Sequence, residues 1–248
     1  MISQESIKQL TTRYRTSEFN VIREYFQHVF LAELYKLPGA GKLLFKGGTA
    51  LRIVYGSPRF SEDLDFSLFG VYAHNQKQYV EDLFAATLTT IEKSGIRVVI
   101  DESDATSGGY WGSAIFHAYD SVVNVVINIS SRNGQDVRGE VETIANDFIP
   151  TYNLIHLSKE ELVEEKVFGA LLDRKKERDF YDLYFMLRKN MLSSEQKKRL
   201  GDMKEKIFTY AKEKDFKNEL GVFLPADQQT IIADFERAFR DELNRQTS

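Results

Sequence analysis

Two aspartates one residue apart, Asp63-Leu64-Asp65, follow a glycine turn, Gly47-Gly48-Thr49, after a single helix's worth of chain. On a strand, side chains two apart leave the same face at roughly 7 Å, so Asp63 and Asp65 would stand together while Leu64 and Phe66 face the other way. At that spacing, with an effective dielectric of about 20, two carboxylates repel by about 2 kcal/mol. A divalent cation is one counter-charge that offsets this, and Mg²⁺ is commonly held by one or two carboxylates plus substrate phosphates. The glycine turn would supply the phosphate end: backbone N–H groups without a neighbouring Cβ approach an anion closely, and a turn that opens a helix adds the positive end of the helix dipole. Either element alone also fits a tight turn or a pair of strand acids, and it is their order and spacing that join them into one candidate site.

The run Gly47-Gly48-Thr49-Ala50-Leu51, followed by Arg59-Phe60-Ser61-Glu62-Asp63-Leu64-Asp65-Phe66, resembles the first motif of the AbiEii/AbiGii-type nucleotidyltransferase toxins, members of the DNA polymerase β-like nucleotidyltransferase superfamily. Two later segments, around Lys166-Val167-Phe168-Gly169-Ala170-Leu171 and Arg178-Asp179-Phe180-Tyr181-Asp182-Leu183, are similar to that family's Lys-x-x-x-Ala-Leu and Arg-Asp-x-x-Asp-Leu motifs. The resemblance implies an α+β chain: an N-terminal polymerase β-like nucleotidyltransferase domain with a mixed sheet, then a helical C-terminal domain. It implies Asp63 and Asp65 as ligands of Mg²⁺, or of Mn²⁺ in its place, with an NTP as substrate. Gly47, Gly48 and Thr49 would hold the phosphates, assisted by Lys46, Arg59, Ser61 and Arg178, while Lys166, Asp179 and Asp182 complete the catalytic set. A lysine reaching a triphosphate offsets charge that grows on departing pyrophosphate, and so lowers a barrier rather than only tightening binding. Implied too are a cellular acceptor, RNA with tRNA favoured or else protein, and a cognate antitoxin. Members of the superfamily often carry a third carboxylate on a strand beside the acid pair; here Asn128 or Asn124 stands in the expected place, which favours one firmly held metal over two. Phosphorylation of Ser61 would put a dianion where the NTP phosphates belong and shut transfer off. Two rival readings remain: Asp-x-Asp also serves metal-dependent glycosyltransferases, and a pocket that lost its chemistry would be a catalytically inactive nucleotide-binding module.

The surrounding elements must present these residues. Residues 3 to 37 read as two helices, with Ile22, Phe26, Val29, Phe30 and Leu34 at helical spacing and Pro38-Gly39 as the stop; His28 lies inside this pattern as a packing residue. Leu43 to Phe45 reads as a short strand, Ala50 to Tyr55 as a helix and Asp63 to Phe69 as the next strand. Gln76 to Lys93 is an amphipathic helix ended by Gly95. Ile96 to Ile100, Tyr110 to Ala118 and Ser121 to Ile129 read as strands joined by turns at Ser107-Gly108-Gly109 and Tyr119-Asp120. Arg132 to Glu140 is polar and reads as a loop at the sheet edge. The boundary is set near Asn153 to Leu157, giving a nucleotidyltransferase domain over 1–155 and a helical domain over 156–248. In the latter, Ser158-Lys159-Glu160-Glu161 and Ser193-Ser194-Glu195-Gln196 resemble capping boxes, the second leading a helix to about Lys212.

Composition limits the partners. In 248 residues, 33 Lys+Arg stand against 37 Asp+Glu, so the chain as a whole does not attract nucleic acid and any such binding needs a local patch, for which Arg174-Lys175-Lys176-Glu177-Arg178 is the candidate. The absence of cysteine excludes disulfides and thiolate metal sites. Four histidines without a His-x-x-x-His pair give zinc little support. No stretch has the length of a membrane span and the N-terminus lacks a signal core, so the expected location is cytoplasmic, with no membrane partner.

Overall fold

The computed structural model describes residues 1–106, 108–131 and 138–247. These divide into two compact units, one comprising Met1–Gly56 and Phe60–Leu157, the other Ser57–Arg59 and Ser158–Ser248.

The first unit holds helices α1 (Gln4–Tyr14), α2 (Glu18–Leu34), α3 (Gly47–Ile53) and α4 (Gln76–Lys93), and strands β1 (Leu43–Lys46), β2 (Leu64–Leu68), β3 (Val98–Thr106), β4 (Gly109–Ala118), β5 (Ser121–Ser131), β6 (Gly139–Ile144) and β7 (Tyr152–Leu157). Ser3 and Ser17 start the first two helices by accepting the backbone N–H groups of Ser6 and Asn20, which would otherwise lack partners in the first turn. The strands form one sheet in the order β3-β4-β5-β2-β1-β7-β6. It is mixed: β2 runs antiparallel to β1 and parallel to β5, and β1 runs parallel to β7. Alternation decides which side of β2 is which. Leu64, Phe66 and Leu68 are buried in the core, and Asp65 projects from the opposite face. Strand β5 repeats the pattern, with Val123, Val125, Ile127 and Ile129 buried while Asn124 and Asn128 are not. The apolar face is covered by α2 and α4; Phe26 of α2 stacks on Phe116 of β4 at 4.6 Å and Phe30 meets Phe84 of α4 edge-on at 5.6 Å. Helix α2 is buried nearly all round, including the polar Asn20, Arg23, Glu24, Gln27 and His28.

The second unit holds α5 (Lys159–Val163), a π-helical stretch Glu164–Ala170, α6 (Leu171–Arg174), α7 (Glu177–Arg188), α8 (Ser194–Asp202), α9 (Lys204–Lys212), α10 (Phe216–Phe223) and α11 (Phe235–Thr247). Its centre is aromatic: Phe180 of α7 meets Phe216 and Phe239 edge-on at 5.9 and 5.8 Å, and Phe235 stacks on Phe239. Tyr181 stacks on Phe235 and is buried, so it is a core residue.

The architecture corrects three local expectations. Strands β6 and β7 were not legible as strands. Glu140-Val141-Glu142-Thr143 has a single apolar residue, itself exposed, and Tyr152-Asn153-Leu154-Ile155-His156-Leu157 is broken by polar residues; only pairing with β1, more than a hundred positions away, makes β7 a sheet member. Gly139 and Glu140, read as loop, open β6, whereas 132–137 and Ser107 lie outside the described residues. The helix expected from Ser193 to Lys212 is interrupted at Met203, although its capping box is formed, Ser193 with Gln196.

Candidate active site

In the first unit, cross-strand register places one row of side chains on the face opposite the core. Lys46 of β1 is opposite Asp65 of β2, and Asp65 is opposite Asn128 of β5. The Asn128 side-chain amide donates to Asp65 Oδ1 at 3.2 Å, so of the two asparagines it is Asn128 that stands beside the acid; Asn124 instead accepts from Ser113. Lys46 donates from Nζ to Ser130 Oγ at 2.6 Å, an anchor not foreseen from sequence because Ser130 lies 84 positions away.

The glycine bend meets this row. Gly47 has φ +83°, and a Cβ built there would fall 2.0 Å from Asp65 Oδ2 and 2.8 Å from its Cβ and Cγ. Only glycine fits both the positive φ and the carboxylate that occupies the space. The N-cap of α3, Lys46, makes no side-chain capping bond to the first turn, whose N–H groups have no partner within a helix.

Asp63 lies just before β2, and side chains from two helices hold its neighbourhood. Gln27 of α2 donates Nε2 to the backbone carbonyls of Ser61 and Glu62, both at 3.0 Å, and Thr49 of α3 donates its hydroxyl to the carbonyl of Asp63. Thr49, expected to hold phosphate, is buried and its hydroxyl proton is committed to the acid loop. Ser61 is half-buried. Arg23, one turn before Gln27, approaches Glu62 at 3.3 Å; burial lowers the pKa of its guanidinium, while Glu62 and Asp63 pull it back up. Neither Gln27 nor Arg23 stood out in the sequence, where both look like polar positions of an amphipathic helix. Arg52 of α3 pairs with Glu24 in two 2.9 Å bonds and lies over the Phe60 ring at 3.6 Å.

The second unit gathers the later motifs into a buried ion network. Arg59 donates Nε to Asp182 Oδ1 at 2.9 Å and Nη2 to Oδ2 at 3.0 Å, and both side chains are 1% exposed. Lys166, on the π-helical stretch, reaches Asp182 Oδ2 at 2.8 Å and Asp179 Oδ1 at 3.9 Å. Burial pushes the Asp182 carboxyl up, but Arg59 and then Lys166 outweigh it and hold the pKa below its usual value. Arg59 therefore does not sit as a phosphate helper: its guanidinium is sealed against Asp182. Asp179 is answered by Arg174 at 2.8 Å rather than by Arg178, which approaches Glu219 at 3.5 Å. Asp179 Oδ2 is buried without a hydrogen-bond partner. The basic run is thus partly spent internally, Lys175 also lying over the Tyr210 ring at 4.2 Å.

The polar face at Asp65 offers hard oxygen donors: the Asp65 carboxylate and the neutral amide of Asn128. Among the described residues, no group of three or more His, Asp or Glu is gathered for a metal. That donor set suits a single Mg²⁺ completed by phosphate oxygens and water, and not an ion caged by protein alone. Among the described residues, no helix is long and apolar enough to cross a membrane.

Comparison with known proteins identifies the fold and the family. Two Helicobacter pylori crystal structures share the fold: JHP933, with TM-score 0.61 and 18% identity over 94% of this chain and 93% of that one, and a protein described as a nucleotidyltransferase, with TM-score 0.59 and 18% identity over 93% and 96%. No curated protein sequence matches. The model of a family described as nucleotidyl transferase AbiEii toxin, type IV toxin–antitoxin system, matches residues 29–247. With that match covering most of its length, the chain belongs to the AbiEii nucleotidyltransferase toxin family.

Proposed function

We propose that this nucleotidyltransferase moves a nucleoside monophosphate from an NTP to a cellular RNA, tRNA in first place, and releases pyrophosphate. The observation that carries the reading is Asp65: half-buried, turned onto the Gly47 bend, and hydrogen-bonded by an uncharged amide. A carboxylate placed there needs a cation, and the uncapped turn beside it suits an anion; a magnesium-bound triphosphate is both. Mg²⁺, held by Asp63 and Asp65, would neutralise phosphate charge and orient the α-phosphorus.

The residues of the chain do the rest. Gly47 and Gly48 bring backbone N–H groups to the phosphates, and Lys46, steadied by Ser130, adds a positive charge on the same face as Asp65. Thr49 contributes by fixing the Asp63 carbonyl. An acceptor hydroxyl oxygen bonds to the α-phosphorus as the bond to the bridging oxygen of the β-phosphate breaks; its proton passes to solvent and the electron pair leaves with pyrophosphate. Catalysis in such a step comes from positioning and charge neutralisation. For Lys166 and Asp182 the reading rests on the family motif and on the charge balance of their network, where Arg59, Lys166 and Arg174 outnumber Asp179 and Asp182. Arg59 satisfies Asp182 so that Lys166 keeps charge for an anion.

Incubating the purified chain with each α-labelled NTP, Mg²⁺ and total cellular RNA tests this. Label should pass to RNA from one or a few NTPs, with stoichiometric pyrophosphate, and chelation should abolish it. Turnover of a sugar nucleotide without pyrophosphate, or NTP binding that never yields product, would refute the assignment.

A further inference from the structure

The row that begins at Lys46 and Asp65 does not stop at Asn128. In β4, Trp111 is the residue opposite Asn128, and in β3 Asp104 is opposite Trp111. The pairing of β4 with β5 runs without a shift from Gly109↔Ser130 to Ala118↔Ser121, so the side chain of Trp111 leaves the same face as those of Asn128 and Asp65. It is the single tryptophan of the chain and is half-buried, between the buried Tyr110 and Gly112 that turn to the core.

Its surroundings are unusual for so large an apolar ring. The positions two away on its own strand and face are Gly109, which has no side chain, and Ser113. Across the strands it faces an asparagine and an acid, and beyond them Asn124 and Val122 are exposed. Among the described residues no aromatic ring or cation packs on it. A tryptophan normally covers its area with other apolar side chains; this one has Asn128 and Asp104 directly across the strands, with Val126 diagonal to it on the same face. Two strand spacings, about 10 Å, separate it from Asp65, a gap of the order a ribose bridges between phosphate and base.

Resting on the nucleotide reading above, we propose that Trp111 is the platform on which a nucleobase stacks when phosphates are held at Asp65 and the Gly47 bend. Stacking on an aromatic face tolerates any base, with Asn128 placed to add a directional hydrogen bond.

With a single tryptophan in the chain, emission excited at the red edge, beyond the absorption of the tyrosines, reports on this ring alone. Titrating the Mg²⁺-loaded wild type with each NTP, with inorganic triphosphate and with a short single-stranded oligoribonucleotide, while following binding independently by calorimetry, separates the cases. Quenching by an NTP, but not by triphosphate, assigns the platform to the substrate base; quenching by the oligoribonucleotide alone assigns it to a base of the acceptor. In the first case Trp111→Ala should raise the NTP KM about tenfold with kcat little changed, leave triphosphate affinity as in wild type, and be restored by Trp111→Tyr. NTP and oligoribonucleotide binding seen by calorimetry without any change in emission would overturn the proposal while leaving the phosphate site standing. Failure of triphosphate and every NTP to bind would instead remove the reading on which it rests.

Discussion

Asp65 and Asp182 both come from Asp motifs of the same family, yet their environments are opposite. Asp182 is wholly buried and carries a bidentate arginine and a lysine. Asp65 is half-buried, bonded by an amide, and crowded by a glycine whose missing Cβ makes room for it. A buried carboxylate is tolerable only when paired, so Asp182 is balanced inside the fold, whereas Asp65 is half-buried and shares its face with Lys46 across the strand pair and with the Asn128 amide. A motif aspartate is therefore recognised as a ligand or as a positioning group by how many cations the fold already supplies to it.

This contrast can be broken most directly at the two acids. Asp65→Asn is expected to lower transfer roughly a thousandfold while leaving the urea midpoint unchanged or slightly raised, since it removes repulsion rather than a pair. Asp182→Asn should instead cost about 3–5 kcal/mol of stability, because Arg59 loses its bidentate carboxylate in the interior and Lys166 the nearer of its two acids. Equal losses of stability for the two variants would erase the distinction.

A third buried group sharpens it by taking the remaining option. His28 is bonded through Nδ1 to the Tyr152 hydroxyl at 2.8 Å, and burial, then Arg52, hold its pKa down to about 3 from 6.5. It stays neutral, so its 4.0 Å approach to Glu24 is not an ion pair. Below pH 6.5 the unfolded chain binds a proton that the folded chain refuses, so stability is full above 6.5 and falls by about 1.4 kcal/mol per pH unit toward pH 3. His28→Gln should make the acid limb of stability against pH shallower by about one proton; an unaltered slope would contradict the assignment.

Two smaller effects concern the ligand side alone. Gly47→Ala forces a methyl onto the Asp65 carboxylate and is expected to cost about a hundredfold in kcat through misplacement of the acid. Activity within a few-fold of wild type would mean that the bend and the acid work apart. Asn128→Asp supplies a third carboxylate in register with Asp65 and should lower the Mg²⁺ concentration for half-maximal rate several-fold, since affinity follows ligand charge. Unchanged metal dependence would show that Asn128 only orients Asp65.

Much of the first unit was legible because its periodicities are strong: the i, i+4 spacing in α2 and α4 and the alternation in β2, β4 and β5 follow from burying one face. The glycine turn and Asp65 on strand β2 were legible for the same local reason, being a few residues on one connection, whereas Asp63, expected on the same strand, falls just before it. Strands β6 and β7 were not, as neither carries a pattern that distinguishes it from a loop until β1 pairs with β7 and β7 with β6. Gln27 and Arg23 looked like helix polar positions until α2 proved buried nearly all round. Arg59 was misjudged as a phosphate helper for the same reason: its distance in sequence from Asp182, 123 positions, hides the partner that claims it.

The order of residues along the chain determined by itself which side chains are available and which face of each strand they take, because backbone sterics set those periods locally. Which of them end as neighbours was decided only by tertiary structure. Register across β1, β2, β5 and β4 aligned Lys46, Asp65, Asn128 and Trp111 in one row, and burial handed Arg59 to Asp182. Charge balance depends on distance in space, and that distance exists only once the strands and helices have packed.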